Sequence, residues 1–165
     1  MAKKKESSFK TVAENRKASF NYSLLEFLEA GVVLTGSEVK SLRQNRCSIS
    51  EAFVGEMSHG ADAGSLFLFN ANIPIYELAR QFNHEPKRPR KILLHKKESN
   101  KWLGAIRKKG LTIVPLSLFF NPKGFIKIKM ALAQGKNVGD KRETLKERDW
   151  NRDKARILKN YNAGK

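Results

Sequence analysis

The sequence predicts an α+β fold that is mainly β with helices: a small antiparallel OB-fold-like β-barrel, flanking helices and a disordered C-terminal tail. Five or six short segments show the apolar alternation of strands, and helical patterns fall between them, which predicts a closed or half-closed barrel. Residues 135–165 show no strand pattern and contain few large apolar side chains. We therefore expect a disordered N-terminus over residues 1–8, a barrel domain over residues 9–134 and a basic tail over residues 135–165.

Three strands and one short helix are predicted in the first half of the chain. Strand patterns cover residues 19–28, 48–56 and 65–75. Thr35 and Glu38 have the spacing of a capping box, so a helix is expected to begin at Gly36. The run from Leu66 to Phe69 is apolar throughout, which is typical of a strand buried on both faces.

A longer helix is predicted over residues 94–109. Its apolar side chains fall on one half of a helical wheel and its basic side chains on the other. Gly110 follows where a C-terminal cap belongs. Gly104 is unfavourable inside this helix by about 1 kcal/mol, and the sequence offers no reason for it.

The clearest hairpin pattern joins residues 111–120 to residues 125–133. The intervening Asn-Pro-Lys-Gly sequence at 121–124 is typical of a tight turn. Alternation along the second strand predicts one buried face and one basic face. Pro115 cannot donate a backbone hydrogen bond, so it indicates a strand edge or a bulge.

Charge is the strongest compositional signal. The 165 residues include 33 Lys and Arg against 16 Asp and Glu, a net charge of +17 at pH 7, of which residues 1–134 carry +12 and residues 135–165 carry +5. A basic body with a basic extension indicates nucleic acid first and an anionic membrane second. Because no apolar run approaches about 18 residues and no secretory signal pattern opens the chain, we expect no membrane partner and a cytoplasmic location.

The most basic segment, residues 83–97, contains six Lys or Arg residues. Pro86 and Pro89 keep its first half extended and exclude a helix there. Such a stiff positive segment suits a polyanion, and the alternative is a solvated basic loop. The expected phosphate contacts are Lys87, Arg88, Arg90 and Lys91.

Residues with catalytic potential form no recognisable motif. His59, His84 and His95 lack the spacing of metal ligands, and the only cysteine, Cys47, excludes an internal disulfide or a cysteine zinc cluster. A small buried thiol is favoured over a reactive one at Cys47. Since no phosphate-binding loop or nucleophile elbow is present, we expect a protein that is not an enzyme, with no cofactor and no metal.

The tail has weak helical signals. Asp140 and Glu143 resemble a capping box, and several i,i+3 charge pairs follow. One narrow face contains Trp150, Ile157, Leu158 and Tyr161, and it buries too little surface to hold a helix alone. We expect a tail that is disordered in the free protein and helical on a partner; the alternative is a helix docked on the barrel.

Several ungapped blocks at fixed spacing resemble the SmpB family, the SsrA-binding proteins of bacterial ribosome rescue. The blocks are residues 29–31 (EAG), 34–43 (LTGSEVKSLR), 70–73 (NANI), 90–94 (RKILL), 114–116 (VPL), 132–136 (LAQGK) and 140–142 (DKR). The similarity extends over residues 15–159.

This resemblance implies a barrel that binds the tRNA-like domain of transfer-messenger RNA (tmRNA) and delivers it to stalled ribosomes alongside elongation factor Tu, reached through the RNA. It also implies a tail that enters the empty mRNA channel at the decoding centre, so that translation resumes on the RNA's own reading frame. Family RNA contacts carry over to Asn15, Glu29 and Leu93. A carboxylate such as Glu29 can accept a hydrogen bond from a base amino group or a 2′-hydroxyl. The alternative role for Glu29 is a structural salt bridge, and the alternative role for Leu93 is packing in the core.

Two sets of site residues follow from the basic segment and the resemblance together. The expected RNA-binding set is Asn15, Arg16, Lys17, Phe20, Tyr22, Glu29, Lys87, Arg88, Arg90, Lys91, Leu93 and Lys136. The expected ribosome-binding set is Asp140, Lys141, Arg142, Lys146, Arg148, Trp150 and Ile157.

The chain departs from the family pattern at three positions. Phe20 replaces a usual histidine, although an aromatic ring still allows stacking on a base. Asn137 replaces a usual lysine, and Gly139 replaces a usual histidine or tyrosine and cannot stack. The alternatives are a structural ribosomal protein or a general RNA-binding OB-fold protein, and, less supported, a nuclease or RNA-modifying enzyme.

Overall fold

The structure, a computed structural model, describes residues 10–44 and 46–163, so the disorder expected for residues 1–8 lies outside the described residues. In chain order the elements are β1 (Lys10–Glu14), α1 (Ala18–Asn21), β2 (Tyr22–Val32), α2 (Gly36–Arg43), β3 (Phe53–Glu56), β4 (Leu66–Phe69), a 3-10 turn (Glu77–Ala79), β5 (Arg90–Leu93), α3 (Lys96–Lys109), β6 (Thr112–Phe120), β7 (Ile126–Gly135) and α4 (Val138–Ala163).

The sheet closes on itself. Its strand order is β1-β6-β3-β4-β5-β2-β7, and β6 also pairs with β7, so six strands form a ring. Strand β1 lies outside the ring and pairs with residues 117–120 of β6. Every one of these pairings is antiparallel. The predicted α+β class with an antiparallel barrel is confirmed. The described residues contain seven strands rather than five or six, because neither β1 nor β5 was predicted as a strand, and in the tail Val138–Ala163 form helix α4.

The interior of the ring is the hydrophobic core. Strand side chains fill it together with Leu42 of α2 and Trp102 of α3, which are at most 1% exposed. Along β7 the predicted alternation is only partly correct. Its second face is basic at Lys127 and Lys129, but Ala131 at the next position of that face is fully buried.

Local predictions are confirmed where a side chain or a turn fixes the backbone. Thr35 and Glu38 form the capping box of α2, and Gly110 ends α3 in the left-handed conformation at φ +60°. The hairpin turn is closed by Asn121 N–H donating to the Phe125 carbonyl at 2.9 Å. The β6–β7 register shifts just after Pro115, which is the predicted bulge.

Element boundaries differ more. The first predicted strand, residues 19–28, begins three residues later, because residues 18–21 form the single turn α1. The strands predicted over residues 48–56 and 65–75 shorten to β3 and β4. Their outer parts form loops that meet in an isolated bridge between Ser48 and Asn72.

Candidate nucleic-acid interface

A buried carboxylate organises the basic segment. Glu38, at the start of α2, is 0% exposed. Its Oε2 accepts from Thr35 N–H at 2.7 Å and from Arg88 Nη2 at 2.6 Å. Its Oε1 accepts from Arg88 Nε at 2.9 Å and from Arg90 Nε at 2.8 Å. One side chain therefore caps a helix and holds two arginines that lie 50 and 52 residues later in the chain, before and at the start of β5.

Arg90 is a core residue, which corrects its expected role as a phosphate contact. Its side chain is 0% exposed and donates to the carbonyls of Ala71 at 2.6 Å, Pro86 at 2.8 Å and Arg88 at 3.1 Å. Because its donors are occupied inside the protein, Arg90 fixes the course of the loop and does not present a charge to solvent.

Arg88 remains partly available. Its side chain is 28% exposed, and its Nη1 donates only a long 3.3 Å hydrogen bond to the Pro89 carbonyl in addition to the pair with Glu38. Lys87 is exposed, and Lys91 is half-exposed in an ion pair with Asp62. The basic segment is therefore a rigid loop with a smaller accessible charge than the sequence indicates.

Electrostatics in this network depend on burial. Burial raises the pKa of Glu38, but hydrogen bonds from Arg88, Thr35 N–H and Arg90 outweigh it, so the net pKa lies below the usual value. Burial lowers the pKa of Arg90, and Glu38 opposes that shift. Burial also raises the pKa of the Cys47 thiol to about 11, although the charge of Arg90 acts in the opposite direction. Because of this raised pKa, the thiol stays protonated at neutral pH.

His84 is part of the same scaffold. One ring nitrogen is 3.0 Å from Ser37 Oγ and the other is 3.0 Å from the Ile73 carbonyl. Ser41 Oγ donates to the Pro74 carbonyl at 2.7 Å. These bonds join α2 to the loop after β4. Residues 34–43 therefore stabilise that loop, whereas the sequence predicted only the helix cap for them.

One exposed face contains Glu29 and Leu93. Gly31 of β2 pairs with Leu93 of β5, and Glu29 lies two residues before Gly31, so both side chains project from the outside of the barrel. Leu93 is 53% exposed, which excludes the core as its place. A cavity of about 600 Å³ beside Leu93 is lined by Lys123, Lys127 and Phe125, among others. Glu29 faces Lys129 across the β2–β7 pair.

A second face surrounds α1. Asn15 is only 7% exposed, and its Nδ2 donates to the Pro115 carbonyl at 3.3 Å, so it holds the turn before α1 against the β6 bulge. Arg16 and Lys17 are exposed, while Phe20 and Tyr22 are half-buried. The Arg148 guanidinium lies 5.6 Å from the centre of the Phe20 ring, so the chain itself covers part of the surface expected to stack on RNA.

The tail leaves the barrel beside α1. Lys136 Nζ donates to the Ser19 carbonyl at 3.1 Å and to Thr144 Oγ1 at 3.2 Å, and Arg148 Nη2 donates to Ser19 Oγ at 3.0 Å. Farther along α4, Trp150 and Ile157 are each 68% exposed. The exposed side chains include those of Asp140, Arg142 and Lys146, and Lys141 is half-buried. The side chain of Tyr161 lies outside the described residues.

The protein-family model described as "SmpB protein" matches residues 12–160, nearly the whole described chain. The chain belongs to the SmpB family. A protein of Rhodopseudomonas palustris (strain BisB5) described as an SsrA-binding protein is 54% identical over 159 residues, covering 96% of this chain and 98% of its own. An SsrA-binding protein of Afipia carboxidovorans is 52% identical with the same coverage.

A solved structure supports the same membership. A chain of the structure "tmRNA-SmpB: a journey to the center of the bacterial ribosome" superposes with a TM-score of 0.60 and 43% identity, covering 76% of this chain and 84% of that chain. Within residues 10–44 and 46–163 of this SmpB-family protein, no helix is long and apolar enough to cross a membrane. The same residues contain no group of three or more His, Cys, Asp or Glu side chains suited to a metal ion.

Proposed function

We propose that this SmpB-family protein binds tmRNA and acts in trans-translation on the ribosome. The observation that carries the proposal is identity of 51–54% over 96% of the chain to proteins described as SsrA-binding proteins. The net charge of +17 suits an RNA partner, since phosphate neutralisation dominates such binding. The role is that of a cytoplasmic RNA adaptor rather than an enzyme, with elongation factor Tu bound through the RNA.

The barrel is the RNA-binding module in this proposal. Glu29 and Leu93 share an exposed face, where the carboxylate accepts from a base amino group or a 2′-hydroxyl and the leucine packs on a splayed base. Lys87 and Arg88 supply phosphate contacts from a loop that Glu38 holds in place. Preorganisation of this loop reduces the ordering cost of binding.

The tail is the ribosome-binding module. It enters the empty mRNA channel, where residues 140–142 meet the decoding centre and the exposed Trp150 and Ile157 pack against the channel wall. Lys146 and Arg148 pair with ribosomal RNA phosphates. Because Arg148 donates to Ser19 in the free protein, the tail exchanges that bond for RNA contacts when it leaves α1.

The proposal is tested by sequencing the RNA that co-purifies with the intact chain from a bacterial host. One structured RNA, tmRNA, is expected. A structural ribosomal protein would instead remain on ribosomal subunits through high salt, and that result would favour the alternative.

The two modules are tested by replacing Asp140, Lys141 and Arg142 together with alanine. Affinity for the tRNA-like domain is expected to stay nearly unchanged, because these three residues belong to α4 and not to the barrel, while tagging in a reconstituted translation assay is lost. The matched control is Leu93→Ala, which should weaken RNA binding. Equal losses of affinity in both variants would contradict separate modules.

A further inference from the structure

Two phenyl rings stack on the outside of the barrel, on two strands that contain none of the RNA-binding residues predicted from the sequence. Phe53 of β3 and Phe69 of β4 are paired in register, with ring centroids 5.2 Å apart and an angle of 19° between the ring planes. Their strand neighbours Val54 and Leu68 point into the core and are at most 2% exposed. Phe53 is 45% exposed, so one side of the stack is closed by Phe69 and the other is open.

Gly55 makes room for this stack. A Cβ atom at Gly55 would lie 3.4 Å from Phe69 Cε2 and 3.5 Å from Phe53 Cε2, so both rings lie over the bare backbone. The rings are therefore held in one arrangement by the strand pairing and by a glycine. A flat ligand would meet a preformed surface and would pay little ordering entropy.

Phe53 also lines a polar cavity of about 310 Å³. Its lining includes Asn21, Tyr22, Ser50 and Thr112, which offer an amide and three hydroxyl groups, and one acid, Glu51. A nucleobase has an apolar face and a polar edge, which matches an aromatic wall beside amide, hydroxyl and carboxylate groups. An apolar protein side chain would leave these polar groups without partners.

The cavity adjoins a basic groove. Asn21 also lines the neighbouring groove of about 500 Å³, together with Arg16, Lys17 and Arg148. Because the two cavities share this residue, a nucleotide with its base beside Phe53 can direct its phosphates toward the basic side chains. Positive charge next to an aromatic platform is the arrangement by which proteins bind single strands.

We propose that Phe53 is the stacking platform of a subsite for one unpaired nucleobase, with the flanking phosphates along Arg16 and Lys17. The subsite needs only that the ligand is single-stranded RNA, and it does not depend on which RNA the barrel recognises. It lies on β3, away from Glu29 and Leu93 on β2 and β5, so it adds a contact to the proposed function.

The experiment uses the full chain and a short oligouridine RNA that contains one 2-aminopurine. Phe53→Ala, Phe53→Leu and Phe53→Tyr are compared with the wild type for affinity and for fluorescence quenching. Phe82→Ala is the matched control, since Phe82 is an exposed phenyl ring, 88% accessible, outside the β3–β4 pair. Thermal unfolding of each variant checks that the barrel is intact. Phe53→Leu removes the ring but keeps an apolar side chain, so it separates loss of stacking from the weakened packing expected in Phe53→Ala.

Loss of base stacking is expected to weaken oligonucleotide binding about 5- to 150-fold in Phe53→Ala and Phe53→Leu, and to abolish the quenching. Phe53→Tyr should retain both, because it keeps the ring. The slope of affinity against salt should not change, since Phe53 contacts no phosphate. Equal affinities for Phe53→Leu and Phe82→Ala, or quenching that survives without the ring, would overturn the subsite.

A parallel titration with the tRNA-like domain of tmRNA separates this inference from the proposed function. Wild-type protein that ignores the structured RNA but quenches the oligonucleotide would refute the tmRNA assignment and leave the subsite standing. If the wild-type protein binds the structured RNA but Phe53→Leu still quenches the oligonucleotide, the tmRNA assignment stands and the subsite is refuted.

Discussion

At the scale of single residues, Glu38 is expected to have a large effect on stability. Replacing it by glutamine leaves the fully buried Arg90 guanidinium without its counter-charge. Removing one partner of a buried ion pair costs about 3–5 kcal/mol. We expect Glu38→Gln to lower the free energy of unfolding by that amount in urea denaturation at pH 7.

The matched control for this variant is Glu26→Gln, which removes the same charge. Glu26 pairs with Lys101, and the two side chains are 42% and 64% exposed, so the loss should be under about 1 kcal/mol. If both variants lost the same stability, the network around Glu38 would have no special role.

The pKa of Glu38 gives a prediction for pH. Because its native pKa lies below that of the unfolded chain, about 4.3, its contribution is complete above that pH and is lost as pH falls through the native pKa. The stability difference between wild type and Glu38→Gln is expected to be smaller at pH 3 than at pH 7. Denaturation curves at both pH values measure it, and a difference that grows on acidification would contradict the shift.

The same residue explains what sequence alone cannot give. A run of basic residues does not reveal which cation is buried, because Arg90 and its neighbours Arg88 and Lys91 look alike in the sequence. Burial is decided by the alternation of β5, which turns Arg90 inward, and by the distant Glu38 that neutralises it. Only three-dimensional pairing brings these two residues together.

At the scale of elements, local chemistry was predicted well and long-range packing was not. The capping box of α2, the glycine cap of α3 and the turn at residues 121–124 each depend on neighbours within four positions. Strand β1 contains Val12 and Ala13 as its only apolar residues, and it exists because β6 offers a free edge. Ala133, on the same face of β7 as Ala131, is buried in a small cluster with Ala18 of α1 and Val114 of β6, which alternation does not encode.

Gly104 is a position where a substitution should stabilise α3. A Cβ atom there meets nothing within 4 Å, and alanine is favoured over glycine in a helix by about 1 kcal/mol. We expect Gly104→Ala to raise the free energy of unfolding by about that amount, measured by urea denaturation.

Gly110→Ala is the matched control in the same helix. Gly110 has φ +60°, where a side chain is strained, so its replacement should destabilise the protein. The same sign of effect in both variants would show that helix propensity does not determine the response at Gly104.

Helix α4 is expected to be weak beyond its first turns. The hydrogen bonds from Lys136 and Arg148 hold its start to α1, but Trp150, Ile157 and Leu158 are more than half exposed. Backbone amides of residues 149–159 are therefore expected to exchange at nearly the rate of an unfolded peptide in the free protein. Strong protection there, comparable with that of β7, would refute the predicted disorder of the free tail.

At the scale of the whole molecule, the barrel and the tail differ in net charge and in the number of contacts that hold them rigid. The barrel carries +12 over residues 1–134 and is closed by continuous strand pairing, whereas the tail carries +5 on a helix with few neighbours. Since RNA affinity depends on the number of phosphates neutralised, most of it should come from the barrel. Burial of Arg90 in the core also lowers the charge that can reach RNA below the value counted from the sequence.

This distribution predicts the salt dependence of binding to the tRNA-like domain of tmRNA. If about six phosphates are neutralised, log affinity should fall against log salt concentration with a slope of about −4 to −5. Truncation after Asn137 removes α4, and the slope should change by less than about one unit while rescue of stalled ribosomes is lost. Lys87→Ala in the full chain is the control for sensitivity, because loss of a single phosphate contact should reduce the slope by about 0.7 to 0.9. A truncated protein whose slope falls by half would place the main RNA contacts on the tail, and the barrel would then serve only to position it.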